Sequence, residues 1–111
     1  MITEKDKQNR DDLFRLMQEN PDLPVIPMVD SEIVASDDYG RWIGSWGASY
    51  IDHFILGEER ILFIDDDEED VLADLHGYEW VENATDEEWA TAYENIPWIT
   101  AIIVNIDLPE I

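Results

Sequence analysis

The sequence predicts an α+β domain: an N-terminal helix, a mostly antiparallel sheet of four to five strands, and two further helices before a buried C-terminal strand. Three observations predict it. Threonines suited to N-capping stand at positions 3 and 85, ahead of stretches without glycine or proline. Runs rich in β-branched and aromatic residues, bounded by glycine and acidic turn residues, fill the middle and the end. Five Trp, four Tyr and three Phe within 45% apolar residues supply the core-forming groups that a disordered acidic chain lacks. At 111 residues one domain is expected over 1–111, with 1–20 as an N-terminal helix that partly projects.

Each element has a local cause. From Lys5 to Glu19 there is no Gly, Pro or β-branched residue, so a helix is predicted over about 4–19, capped by Thr3. Its apolar residues Leu13, Phe14, Leu16 and Met17 gather in the second half, and Asn20-Pro21 ends it. Leu23 to Val29 is apolar but holds Pro24 and Pro27, which limits it to an edge strand or an extended crossing segment. Ser31 to Ala35 is a short strand candidate, with Asp37-Asp38-Tyr39-Gly40 as a turn. Arg41 to Gly47 is a second strand candidate, and on a regular strand Trp42 and Trp46 share a face. Gly44 and Gly47 mark a bulge, a bend or a close backbone approach. Ala48–Leu56 and Arg60–Ile64 form a hairpin around Gly57-Glu58-Glu59.

The run Asp65 to Asp70 leads into Val71, Leu72 and Leu75 at helical spacing, with Gly77 as the residue that stops the helix. Acids in a first turn complement the helix dipole. Thr85-Asp86-Glu87-Glu88 fits the S/T-x-x-E capping box and opens a helix bearing Trp89, Tyr93 and Ile96 on one face. Trp98 to Ile106 reads as a buried strand.

Charge dominates the composition. The chain has 28 Asp and Glu against 6 Lys and Arg, a net charge of −22. The first 15 residues are neutral, so the whole surplus follows them, opposed only by Arg41 and Arg60. Such a chain lacks the basic footprint for phosphate, which excludes direct nucleic-acid binding and attachment to an anionic membrane. With no cysteine there is no disulfide framework, thiolate metal site or cysteine nucleophile. The N-terminus has no apolar core of a signal peptide and no run approaches a membrane span, so the cytoplasm of a host cell is the expected location.

No enzymatic activity, cofactor or metal is expected. Asp65, Asp67 and Glu69 alternate as in a calcium loop, but the sixth and twelfth positions are Asp70 and His76 where an EF-hand needs Gly and Glu. Weak surface binding of a divalent cation is the residual possibility, set against a solvated helix start. His53 and His76 lack an evident orienting partner, because Asp52 and His53 point to opposite faces of a strand. Ser45 lies in Gly44-Ser45-Trp46-Gly47, which lacks nucleophile-elbow spacing. The charge is either a solvated surface, an adaptation to a salt-rich cytoplasm, or a set of carboxylates placed where phosphates would lie. The last gives a reason to tolerate the self-repulsion that a merely solvating surface lacks, since modest net charge already suffices for solubility.

Three segments, Pro21-Asp22-Leu23-Pro24-Val25-Ile26-Pro27-Met28-Val29, Trp42-Ile43-Gly44-Ser45-Trp46-Gly47 and Pro97-Trp98-Ile99-Thr100-Ala101-Ile102-Ile103-Val104, resemble in their order a group of small acidic, largely uncharacterised proteins of bacteriophages and prophages of Gram-positive bacteria. The resemblance spans about residues 20–106 and brings no catalytic residue with it. It implies a class that includes DNA mimics blocking restriction enzymes and anti-CRISPR proteins occupying the nucleic-acid channels of effector nucleases. The expected function is therefore inhibition of a host nucleic-acid-handling protein, most plainly a CRISPR effector, through its basic surface. The expected contact residues are Asp37, Asp38, Glu58 and Glu59 on loops, Asp65, Asp66, Asp67, Glu68 and Glu69 at one helix start, and Asp86, Glu87 and Glu88 at another, with Trp42 or Trp46 as anchor. The alternative is a protein-protein interaction module whose charge only solvates it and whose partner docks on the glycine-tryptophan segment.

Overall fold

A computed structural model describes residues 3–34 and 40–109. Helix α1 runs Glu4–Glu19, and the Thr3 side chain accepts the Asp6 N–H as its N-cap. Asn20 closes it with its main-chain N–H on the Leu16 carbonyl. Strand β1 (Val25–Val29) and the short 3₁₀ turn η1 (Ser31–Ile33) follow. Strands β2 (Ser45–Leu56) and β3 (Ile61–Phe63) precede three helices, α2 (Glu68–His76), α3 (Tyr78–Asn83) and α4 (Asp86–Glu94). Strand β4 (Ile99–Asp107) ends the order. The strands make one sheet in the order β1-β4-β2-β3, so the fold is α+β.

Strand β1 is an edge strand, parallel to β4 with Val25 opposite Ile102 and Val29 opposite Ile106. The Ile102 N–H donates to the Pro24 carbonyl and the Asp30 N–H to the Ile106 carbonyl. Even-numbered residues of this segment therefore face β4. Pro27 faces outward, where its missing N–H takes no bond from the ladder and denies a donor to any incoming strand. β2 and β3 form the expected antiparallel hairpin, with Phe54 opposite Phe63 and Leu56 opposite Ile61. Along β2 and β4, Asn105 Nδ2 donates to the Ala48 carbonyl and His53 Nδ1 meets Thr100 Oγ1 at 2.7 Å, so these strands run in opposite directions.

Chain contacts divide the molecule into two compact units, residues 1–51 with 101–111, and residues 52–100. In the first, α1 lays Leu13 and Leu16 on Val25, Ile102, Val104 and Ile106. Asn9 Nδ2 also donates to the Trp46 carbonyl at 2.8 Å, which ties down the polar first half of α1. Ala101 to Val104 are all buried, so β4 is covered on both faces, as its unbroken apolar run predicts. In the second unit Leu62, Val71 and Leu72 are fully buried, with Ala73, Val81 and Ile96 beside them and Trp80, Trp89, Tyr93 and Trp98 packed around.

Three expectations are corrected. Ser31 to Ile33 is a 3₁₀ turn, not a strand: Asp30 accepts the Glu32 N–H on its side chain and the Ile33 N–H on its carbonyl, and these local bonds replace a ladder. Residues 41–44 lie outside any strand, and β2 begins at Ser45. At Gly44 the backbone passes against the Ile106 side chain so closely that a Cβ would collide with it. Trp42 and Trp46 therefore do not share a strand face. Finally, a third helix, α3, follows α2 directly. Gly77, at φ 93°, closes α2 with its N–H on the Ala73 carbonyl and turns the chain into Tyr78, in a conformation that only glycine adopts without strain. So short a helix owes its stability to the burial of Val81 and the packing of Trp80.

Candidate functional site

The two units differ in charge. Residues 1–51 and 101–111 hold twelve acids against five Lys and Arg, whereas residues 52–100 hold sixteen acids against Arg60 alone. The second unit thus carries −15 of the −22. Among the described residues none of its carboxylates lies in a salt bridge; Arg15 with Asp12, at 3.7 Å, is a pair of the first unit.

The sequence-predicted carboxylates fall into two kinds. Some hold the main chain. Asp66 Oδ2 accepts the Phe63 N–H at 2.8 Å while the Asp66 N–H returns to the Phe63 carbonyl, so the outward edge of β3 is closed by its own turn. Asp67 caps α2 by accepting the Glu69 N–H at 2.9 Å. Glu88 completes the capping box of α4, taking the Thr85 N–H at 3.2 Å while the Thr85 hydroxyl oxygen accepts the Glu88 N–H. The others are exposed and have no side-chain hydrogen bond among the described residues: Glu58, Glu59, Asp65, Glu68, Glu69, Asp86 and Glu87. The acids of the first turns of α2 and α4 sit where the helix dipole favours negative charge. Asp37 and Asp38 lie outside the described residues.

Two loop acids are brought into a built feature. A cleft of about 500 Å³ is lined by Glu58, Glu59 and Arg60 from the hairpin turn, by Asp70, Ala73 and Asp74 from α2, and by Tyr78. The Gly57 N–H donates to the Arg60 carbonyl at 2.8 Å, closing the turn, and the Glu58 N–H donates to Asp74 Oδ2 at 2.9 Å, fixing the turn to α2. Asp70 ends the acidic run expected to supply contact charge, whereas Asp74 was not among the expected contact residues. Their i,i+4 spacing puts them on one side of α2, which is visible in the sequence, but their meeting with Glu58 and Glu59 is not.

The aromatic candidates separate. Trp42 is half-buried, Trp46 is 43% exposed on β2, and Ile43 between them is 82% exposed. Trp89 and Trp98 belong to the core of the second unit. Trp80, which sequence reasoning passed over, packs on that core and stacks at a tilt on His76, with ring centroids 4.6 Å apart. Asp52 accepts the main-chain N–H of His53 and does not orient its ring, which instead meets Thr100. No group of three or more His, Asp or Glu among the described residues is placed to hold a metal ion. No helix among them is long and apolar enough to cross a membrane.

No protein-family model, no curated protein and no solved structure matches the chain.

Proposed function

We propose that the chain is an acidic inhibitor that binds the basic nucleic-acid-binding surface of a partner protein, of the kind found in a host defence nuclease such as a CRISPR effector. Residues 52–100 present carboxylates where phosphates would otherwise lie. The observation that carries this is the convergence of Glu58, Glu59, Asp70 and Asp74 on one cleft with Arg60 as its single cation, held by a pinned turn and a capped helix, in a unit whose carboxylates form no salt bridge among the described residues. Carboxylates carried on a pinned main chain favour rapid, steered association with Lys and Arg arrays, and the backbone beneath them needs no ordering on docking.

The test is capture of a partner on the immobilised chain, followed by competition. The retained protein binds nucleic acid, is released by added duplex DNA or by its own guide or target RNA, and dissociates as salt rises from about 50 to 200 mM, the range over which phosphate-type contacts weaken steeply. Asp65→Asn/Glu68→Gln/Glu69→Gln, which spares the carboxylates that cap the main chain, weakens capture. A partner that nucleic acid does not displace and salt does not release refutes the proposal. A second possibility, a module whose charge only solvates it, is favoured by the 82% exposure of Ile43 beside Trp46. That possibility requires Trp46→Ala to abolish capture and the acid-to-amide variant to leave it intact.

A further inference from the structure

Trp80 differs from its neighbours in how its edge is used. Trp89 Nε1–H donates to the Val81 carbonyl at 3.1 Å, and Trp98 packs edge-on against Tyr93 with centroids 6.4 Å apart. Among the described residues no hydrogen bond engages Trp80 Nε1–H, and the atom is not among their buried unsatisfied groups. The ring is nonetheless held, on α3 by the core of the second unit and on α2 by His76. One side of the indole thus packs on the core while its N–H edge stays open to a ligand.

Two shallow concavities meet at this residue, of about 400 and 420 Å³, and Trp80 and Glu88 line both. His76 belongs to the first. The second is completed by Glu87, Thr91 and Ala92 and has no cation in its lining. It thus combines an aromatic surface, a small apolar floor and two carboxylates. Glu88 Oε1 is engaged by Thr85, whereas the Glu87 carboxylate has no hydrogen bond or ion pair among the described residues.

The chemistry of this lining selects its occupant. An anion is repelled by both carboxylates, and an apolar group would strip water from them without replacing its hydrogen bonds. A cation gains from both the indole and the acids. Between the two cationic side chains, the guanidinium is planar, weakly hydrated and able to stack on a ring while its edge forks to a carboxylate, whereas an ammonium is a compact and strongly hydrated point charge. A peptide carrying that side chain also offers main-chain carbonyls to the free indole N–H. We infer that the cleft beside Trp80 receives an arginine side chain of the basic partner, the guanidinium stacked on the indole and paired with Glu87. This rests on the proposed function and locates one of its contacts away from Trp42 and Trp46.

The experiment titrates the full chain with Ac-Gly-Arg-Gly-Arg-Gly-amide at about 20 mM salt, following the Trp80 indole N–H by NMR, its resonance identified from Trp80→Phe. The lysine and citrulline versions of the peptide are titrated in parallel. The arginine peptide shifts the Trp80 resonance saturably, the lysine peptide binds more weakly, and the citrulline peptide leaves it unmoved. Glu87→Gln, a change at an exposed side chain with no hydrogen bond or ion pair among the described residues, weakens arginine-peptide binding about two- to fivefold, the span of an exposed ion pair or cation–π contact. Read by titration calorimetry, because these two variants lack the reporter resonance, Trp80→Leu weakens binding at least as much as Glu87→Gln, and Trp80→Phe by less, since a phenyl ring keeps part of the π surface.

The inference is overturned if the Trp80 resonance stays put, if lysine binds as well as arginine, or if Glu87→Gln and Trp80→Leu leave the affinity unchanged. Should Asp65→Asn/Glu68→Gln/Glu69→Gln weaken the peptide while Glu87→Gln does not, the cation binds elsewhere, so the cleft assignment fails and the proposed function stands. If neither the arginine nor the lysine peptide binds at any site, the proposed function fails with it.

Discussion

The unit Asp52–Thr100 stores electrostatic repulsion, and raising the salt concentration should release it as stability. Its net charge is −15. A compact chain of that length has a radius of gyration of about 10 Å, which puts two of its charges about 14 Å apart on average. At that distance a pair in water repels by about 0.3 kcal/mol before screening. A Debye length of about 8 Å at 0.15 M salt leaves about 0.05 kcal/mol per pair, and about 3 Å at 1 M leaves almost nothing. Over the roughly hundred pairs that fifteen charges make, the folded unit loses about 5 kcal/mol at 0.15 M, while the expanded unfolded chain loses about a tenth of that. Charges on a surface lie further apart than this average, so the gain from 0.15 to 1 M NaCl is about 2–5 kcal/mol. Urea denaturation of the full chain, followed by far-ultraviolet circular dichroism, should show the midpoint rising by about 1–2 M at the usual urea slope for a small protein. The rise should flatten above about 0.5 M salt, once the Debye length falls well below the charge spacing, whereas general salting-out continues linearly. A midpoint that moves by less than about 0.3 M urea, or one that rises without flattening, refutes the picture of repulsion stored in the folded unit. The same stored repulsion is what a polycationic surface would relieve on binding.

Two further substitutions test the local devices. A Cβ at Gly57 would meet the Arg60 carbonyl oxygen at 2.9 Å and Leu62 Cδ1 at 3.0 Å, and would collide with Asp74 Oδ2. Gly57→Ala should therefore cost about 1–3 kcal/mol in urea denaturation and release the turn carrying Glu58 and Glu59, read as faster amide exchange at Glu58. An unchanged midpoint would mean that the turn does not need that space. Asp66→Ala removes the acceptor of the Phe63 N–H and opens the edge of β3. It should cost about 1 kcal/mol and add concentration-dependent association, seen by analytical ultracentrifugation. A monomer of wild-type stability would show that Asp66 closes nothing.

The elements whose causes lie within a few residues were legible in the sequence. Thr3 and the Thr85–Glu88 box fix two helix starts because capping pairs a side chain with an amide three residues on. Pro24 and Pro27 mark the edge strand because a residue without an N–H cannot serve an inner ladder. The alternation on either side of Gly57-Glu58-Glu59 places the hairpin. What was not legible depends mostly on groups distant in the chain, and at Ser31–Ile33 on a competition between turn and ladder bonds that composition does not decide. Ser31–Ile33 has the composition of a strand but finds its bonds on Asp30, and Arg41 to Gly44 loses its strand where Gly44 passes Ile106. Helix α3 rests on the burial of Val81 and the packing of Trp80, which six residues cannot announce by their own propensity.

The candidate site divides along the same line. Sequence by itself determined the sign and size of the charge, its concentration after residue 15 and its placement at helix starts and turns, because ionisation and capping are properties of single residues and short spacings. Only the tertiary structure joined Glu58 and Glu59 to Asp70 and Asp74 in one cleft and left Trp80 rather than Trp89 with a free indole N–H. Each of these outcomes depends on how a helix packs over a hairpin or on another helix, and packing is decided by apolar side chains far from the acids it arranges.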